Sequence, residues 1–137
     1  MKLTFPYIFK PNNTQKEIIE DIMWHCEKVY NTLNYNIYQG TELISLKESL
    51  NIQGSKIYKK YRNSNWHSKY LHSHTLLEII LNCVNDHKSY LALKEKYNSG
   101  NKNIKGEPRK PRYKNLGKMQ ITFTKYAIRI EGNSLKL

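Results

Sequence analysis

The densest concentration of side chains able to do chemistry lies in the segment GEPRKPRYKN, residues 106–115. Arg109, Lys110, Arg112 and Lys114 can set guanidinium and ammonium groups beside successive phosphates, and Pro108 and Pro111 reduce the entropy lost when the segment is ordered. Tyr113, set among them, can either stack on a base or ribose or anchor a following strand in a core. A second cluster holds Lys56, Lys59, Lys60 and Arg62, with its three lysines on one helix face by spacings of three and four. Those charges either bind phosphate or form a solvated face. His67, His72 and His74 have a spacing that zinc can use, yet no Cys or carboxylate lies close in sequence, and histidines at a helix start can cap it or bind phosphate. Glu17, Glu20, Asp21 and Glu27 interleave with an apolar row and read as a solvated face near the positive end of a helix. A metal-dependent nuclease centre needs a second acidic segment, and none is found. No catalytic residue, metal or other cofactor is therefore assigned to this chain.

The charge is segregated. The 137 residues carry a net charge of +12. Residues 1–48 are nearly neutral, with five Lys against six acids, and residues 78–100 balance at three and three. Between them, residues 49–77 hold Lys56, Lys59, Lys60, Arg62 and Lys69 with no acid at all. Residues 101–118 hold Lys102, Lys105, Arg109, Lys110, Arg112, Lys114 and Lys118 against Glu107 alone. A surface charged only for solubility mixes its signs, so two basic blocks point to a polyanion partner rather than a membrane or a small-molecule substrate. The absence of a run of about 20 apolar residues excludes a membrane-spanning helix and places the expected protein in the cytoplasm. Eleven Tyr and few Gly or Pro argue for packed surfaces. Cys26 and Cys83, far apart and outside any metal or disulfide motif, read as core thiols.

These groups need elements to position them. Leu3, Phe5, Tyr7 and Phe9 alternate over residues 2–10 as in an edge strand, with Pro6 on the other side. Thr14 and Glu17 form a capping box that opens a helix, whose apolar row Ile18, Ile22, Cys26, Val29, Leu33 and Ile37 runs to about residue 38 and stops at Gly40. A shorter helix is expected over Leu43, Leu46 and Leu50, capped by Ser45 and Glu48, with a break at Gly54 before Ile57, Tyr58 and Tyr61. A polar linker containing Trp66 follows. A long helix then runs from Ser73 or Thr75 to Tyr97, with Leu76, Ile80, Cys83, Val84 and Leu91 inward and Thr75 and Glu78 as its capping box. The prolines keep the connector out of helix and central strand. Strands return over residues 119–124 and around a Gly132-Asn133 turn. Since a lone strand is not stable, the first should pair with the last ones, which makes an α+β chain with a helical block inserted into a small β unit. Leu135-Lys136-Leu137 reads as a strand cut short.

Four blocks, KLTFPYIFKPNNTQKEIIEDIM, CEKVYNTLNYNIY, GEPRKPRYKN and ITFTKYAIRIEGNSLKL, stand in this chain in the same order as similar blocks of TnpB proteins. That family comprises transposase accessory proteins of bacterial insertion sequences, related to type V CRISPR effectors, and the resemblance covers residues 2–137. It implies a wedge-like partial β-barrel of the oligonucleotide-binding type split by a helical recognition domain. Residues 1–12 would be the first wedge strand, 13–100 the recognition insertion, 101–118 the basic connector and 119–137 the remaining wedge strands. It also implies guide RNA and target DNA as partners, a location on the bacterial nucleoid, and RNA-guided DNA cleavage by a metal-dependent nuclease domain that is absent from this sequence. Ser73, His74, Thr124 and Lys125 would lie near the target-adjacent duplex, although Leu77 stands where a polar reader such as Gln is expected. The missing nuclease domain leaves two other readings open, a DNA-binding regulator derived from a nuclease-free relative and a helical protein-interaction module.

Overall fold

The computed structural model describes residues 10–115, 121, 129–131 and 134–136. Helix α1, Asn13–Gln39, starts earlier than the Thr14–Glu17 box requires, because Asn12 and Gln15 form the box instead. The Asn12 side chain accepts from the Gln15 amide at 2.8 Å, and the Asn12 amide donates to Gln15 Oε1 at 3.0 Å. Asn caps at least as well as Thr, so the earlier pair satisfies the free amides first. Gly40 ends α1 in the left-handed region at φ 81°, its amide donating to the Asn36 and Ile37 carbonyls.

The second expected helix does not form at Leu43. Residues 41–49 are irregular, and Leu43 is 83% exposed. Side chains replace the helical ladder here. Buried Gln53 donates to the carbonyls of Ser45 (2.5 Å) and Glu48 (3.1 Å), and Lys88 donates to the same two carbonyls. Helix α2, Leu50–Ser64, begins only after this loop, capped by Ser49. It continues through Gly54, which does not break it: a Cβ there would run into the Leu81 side chain, so the glycine lets α2 approach helix α3, Ser73–Asn98. His72, not Thr75, caps α3, its Nδ1 accepting from the His74 amide at 3.2 Å. Between α2 and α3 the polar linker closes into a 3₁₀ turn, Trp66–Tyr70.

The core is where the three apolar stripes meet: Cys26, Val29 and Leu33 from α1, Ile57 and Tyr61 from α2, and Leu76, Ile79, Ile80, Cys83 and Val84 from α3. Each large aliphatic side chain buried there contributes about 1.5–3 kcal/mol. Cys26 and Cys83 are free and buried, and burial together with the neighbouring Glu27 pushes the Cys26 thiol up to about 12, which leaves it protonated.

The expectation of an α+β fold with a partial β-barrel is overturned. The described residues form a helical body, and their strands are limited to Arg129–Glu131 and Ser134–Lys136, a three-residue antiparallel pair with Ile130 opposite Leu135. Two such short strands are a hairpin, not a barrel. The expected strand over residues 2–10 lies outside the described residues apart from Lys10, which has no regular structure. Of the expected strand over 119–124, only Ile121 is described; it too is irregular and packs half-buried against the helical core. An alternating apolar residue can be buried against helices as well as in a sheet, which is why period two alone does not specify a barrel.

Candidate nucleic-acid interface

Asn31, Asn34 and Tyr38 recur on α1 at spacings of three and four, which places them on one face of the helix. All three grip the backbone of the basic connector. Asn31 holds Lys114 from both sides, donating through Nδ2 to its carbonyl at 3.0 Å and accepting from its amide at 2.7 Å. The Pro111 carbonyl takes two donors, Asn34 Nδ2 at 3.2 Å and the Tyr38 hydroxyl at 2.6 Å. Behind this brace, His87 Nε2 lies 2.6 Å from Asn34 Oδ1 in a buried pair. Because Asn34 must donate through Nδ2 to Pro111, its Oδ1 is the acceptor, which puts the proton on His87 Nε2. Burial, and to a smaller extent the charge of Lys110, lower the His87 pKa against an opposing effect of Asp86, so the ring stays neutral near pH 7.

Held inward at Pro111 and Lys114, the connector leaves most of its cations outward. Arg109, Lys110, Arg112 and Tyr113 are exposed, and Lys114 is half-buried. None of these cations has a carboxylate within salt-bridge distance among the described residues. Lys114 Nζ sits 4.9 Å from the centre of the Tyr30 ring and Lys110 Nζ 5.0 Å from that of Tyr38. Tyr113 is 47% exposed with its ring 5.7 Å from Tyr38, so it lies on the surface beside the cations. A groove runs between the connector and the helices, rimmed by Arg109, Arg112 and Lys114. Its floor includes Tyr30, whose hydroxyl donates to Asp86 at 2.6 Å. Burial and this bond hold the Tyr30 phenol well above its ordinary value.

The helix cluster is occupied differently. Lys56 pairs with Glu48 at 2.5 Å, Lys60 pairs with Glu42, and Arg62 Nη1 donates to the carbonyls of Ser68 and Leu71 at 3.1 Å each. Lys59 is exposed and free of such a partner among the described residues. Lys69 Nζ lies over the rings of Trp66 and Tyr70. Glu42, the partner of Lys60, and Lys110 line one depression beside Tyr38 and His87. Ser73 and His74 are half-buried in the first turn of α3, with the His74 ring stacked on His72 at 5.7 Å. Lys118, Thr124 and Lys125 lie outside the described residues.

The three histidines of the sequence reading separate: His67 faces His25, with their Nδ1 atoms 3.0 Å apart, and not His72 or His74. Among the described residues no three His, Cys, Asp or Glu converge as metal ligands, and no helix is long and apolar enough to cross a membrane. Sequence reasoning missed the brace itself. Its signal was Asn34 inside the apolar row between Leu33 and Ile37, a polar residue that burial tolerates only with partners. Comparison with protein-family models, with curated proteins and with solved structures finds no match to this chain.

Proposed function

We propose that this chain is a non-catalytic nucleic-acid-binding region in which the connector is the main phosphate track and helix α2 a minor one. The observation that carries the reading is the brace: Asn31, Asn34 and Tyr38 hold the connector by its backbone while Arg109, Lys110 and Arg112 remain exposed, with no carboxylate partner among the described residues. A basic segment fixed in this way loses little conformational entropy on meeting a polyanion, and its arginines can grip a phosphate through two hydrogen bonds each. On α2 the same net charge is largely answered by Glu42, Glu48 and backbone carbonyls. The resemblance to TnpB proteins, as a proposal, makes the polyanions guide RNA and target DNA and the chain the binding part of a bacterial, cytoplasmic insertion-sequence protein. The partial barrel that the resemblance implied forms no part of this reading.

The test is a titration of labelled RNA and duplex DNA by fluorescence anisotropy at several salt concentrations. Affinity should fall steeply as salt rises, by counterion release. A shallow salt dependence for both would refute the proposal.

A further inference from the structure

We infer that the aromatic cluster on the 3₁₀ turn, Trp66 and Tyr70 with Trp24 of α1, is a stacking site for unpaired nucleobases of single-stranded nucleic acid. The inference rests on the polyanion reading and adds a second, chemically different contact. Trp66 is 53% exposed, Tyr70 49% and Trp24 38%, so three large rings stand together at the surface instead of entering the core. Exposed apolar rings gathered in one place mark an interaction surface, where singly scattered ones do not.

The rings are also mounted rigidly. One face of Tyr70 lies on buried His25 at 4.5 Å and 10°, and its exposure comes from the rest of the ring. His67 stands edge-on between the two indoles, 5.0 Å from Trp24 and 4.8 Å from Trp66, and its Nδ1 is 3.0 Å from that of His25. The turn is fixed from below by Arg62, which donates to the carbonyls of Ser68 and Leu71, and by Asn65, whose side chain accepts from the His67 amide at 2.9 Å. Arg62, expected from the sequence to touch phosphate, is thus a positioning residue for this platform.

The charge suits the same ligand. Lys69 Nζ lies 5.3 Å from the Trp66 ring centre and 5.2 Å from that of Tyr70, and Lys28 Nζ 5.7 Å from Trp24; against these two ammonium groups one carboxylate, Asp21, borders the cluster, 3.7 Å from His25 Nε2. The ammonium groups lie over these ring faces, so an arriving base takes their place on the ring while the ammonium turns to its phosphate, and every base offers a π-face to such a site. A duplex hides its bases, so this surface favours single strands.

Trp24 and Trp66 are the two tryptophans of the chain, so its intrinsic fluorescence reads this cluster directly. The full chain is titrated with oligo-uridylate, oligo-thymidylate and a duplex of equal phosphate number, following tryptophan emission and anisotropy of a labelled strand together. Single strands should quench the emission to saturation and the duplex much less; the stronger quencher of the two identifies RNA or DNA as the source. Trp66→Ala should weaken single-strand binding about tenfold with duplex binding unchanged, and Trp66→Phe should restore most of it. Single-strand binding without quenching, or an equal loss for duplex and single strand in Trp66→Ala, overturns the stacking site while leaving the polyanion reading intact. Failure of every nucleic acid to bind by anisotropy overturns both.

Discussion

Replacing Asn31 with Ala removes no charge and touches no ligand, so it isolates what the brace does for binding. The side chain makes two hydrogen bonds to the Lys114 backbone, at 3.0 and 2.7 Å, and is only half-buried. Water can therefore reach the groups left behind, and the loss is about 0.5–1.5 kcal/mol for each bond, with no orphaned core atom. The helical core should survive, with melting lowered by a few degrees. The connector around Lys114 gains backbone freedom that binding must then remove, at roughly 1–2 kcal/mol per residue ordered. Since 1.4 kcal/mol is a factor of ten, affinity for RNA and duplex DNA should fall about tenfold. The slope of affinity against salt should not change, because that slope counts phosphates neutralised and every cation is still present. Anisotropy titrations at four salt concentrations, with circular dichroism as the control for folding, give both quantities. Unchanged affinity would show that preorganisation is irrelevant, and a shallower slope would show that Asn31 acts through charge placement instead.

Replacing Arg109, Lys110, Arg112 and Lys114 together with Ala should weaken binding and flatten the salt slope more than replacing Lys56, Lys59 and Lys60, two of which are already paired with acids; equal losses per charge in anisotropy titrations would reduce the connector to bulk charge. Gly54→Val should cost about 1–3 kcal/mol in urea unfolding, since the space for a Cβ is occupied by Leu81, and a neutral result would mean that α2 and α3 can move apart. Burial holds the pKa values of His67 and His87 below the ordinary 6.5, so the unfolded chain binds more protons than the folded one as pH falls below 6.5. Stability should therefore drop from pH 7 toward pH 5, and His87→Gln should remove part of that dependence in urea melts; an unchanged profile would remove the buried-histidine argument. Incubation of the chain with DNA or RNA and magnesium or manganese should give no cleavage, and cutting abolished by mutating Glu17, Glu20 and Asp21 would overturn the assignment.

The long stripes were the legible part of the fold. Cys26, Val29 and Leu33, and Leu76, Ile80, Cys83 and Val84, recur at helical spacing and are all buried, because period 3.6 over many residues has few other solutions. Gly54 was misread for a definite reason: glycine serves both broken and closely packed helices, and only the neighbour, Leu81, decides which. The basic connector could be found by composition, but the residues that hold it lie on α1, and nothing local ties Asn31 to Lys114. From sequence alone Trp24 and Trp66 read as packing residues rather than stacking platforms, yet both are exposed. Trp24 and Trp66 are 42 positions apart, and only the fold of the turn onto α1 puts His67 between them.

The brace also bears on the order in which the chain folds. Asn31 meets the Lys114 backbone across 83 positions, and Tyr38 meets Pro111 across 73, while α1 meets α3 across 53 positions at Asn34–His87 and 56 at Tyr30–Asp86. Closing a loop of that length costs entropy that only a finished helical face can repay, because the gripping side chains align only after α1 is wound. The connector therefore has no brace to dock on until α1 is wound. On the proposed reading, grip on a polyanion would depend on the carboxyl half of α1, which carries Asn31, Asn34 and Tyr38, staying wound.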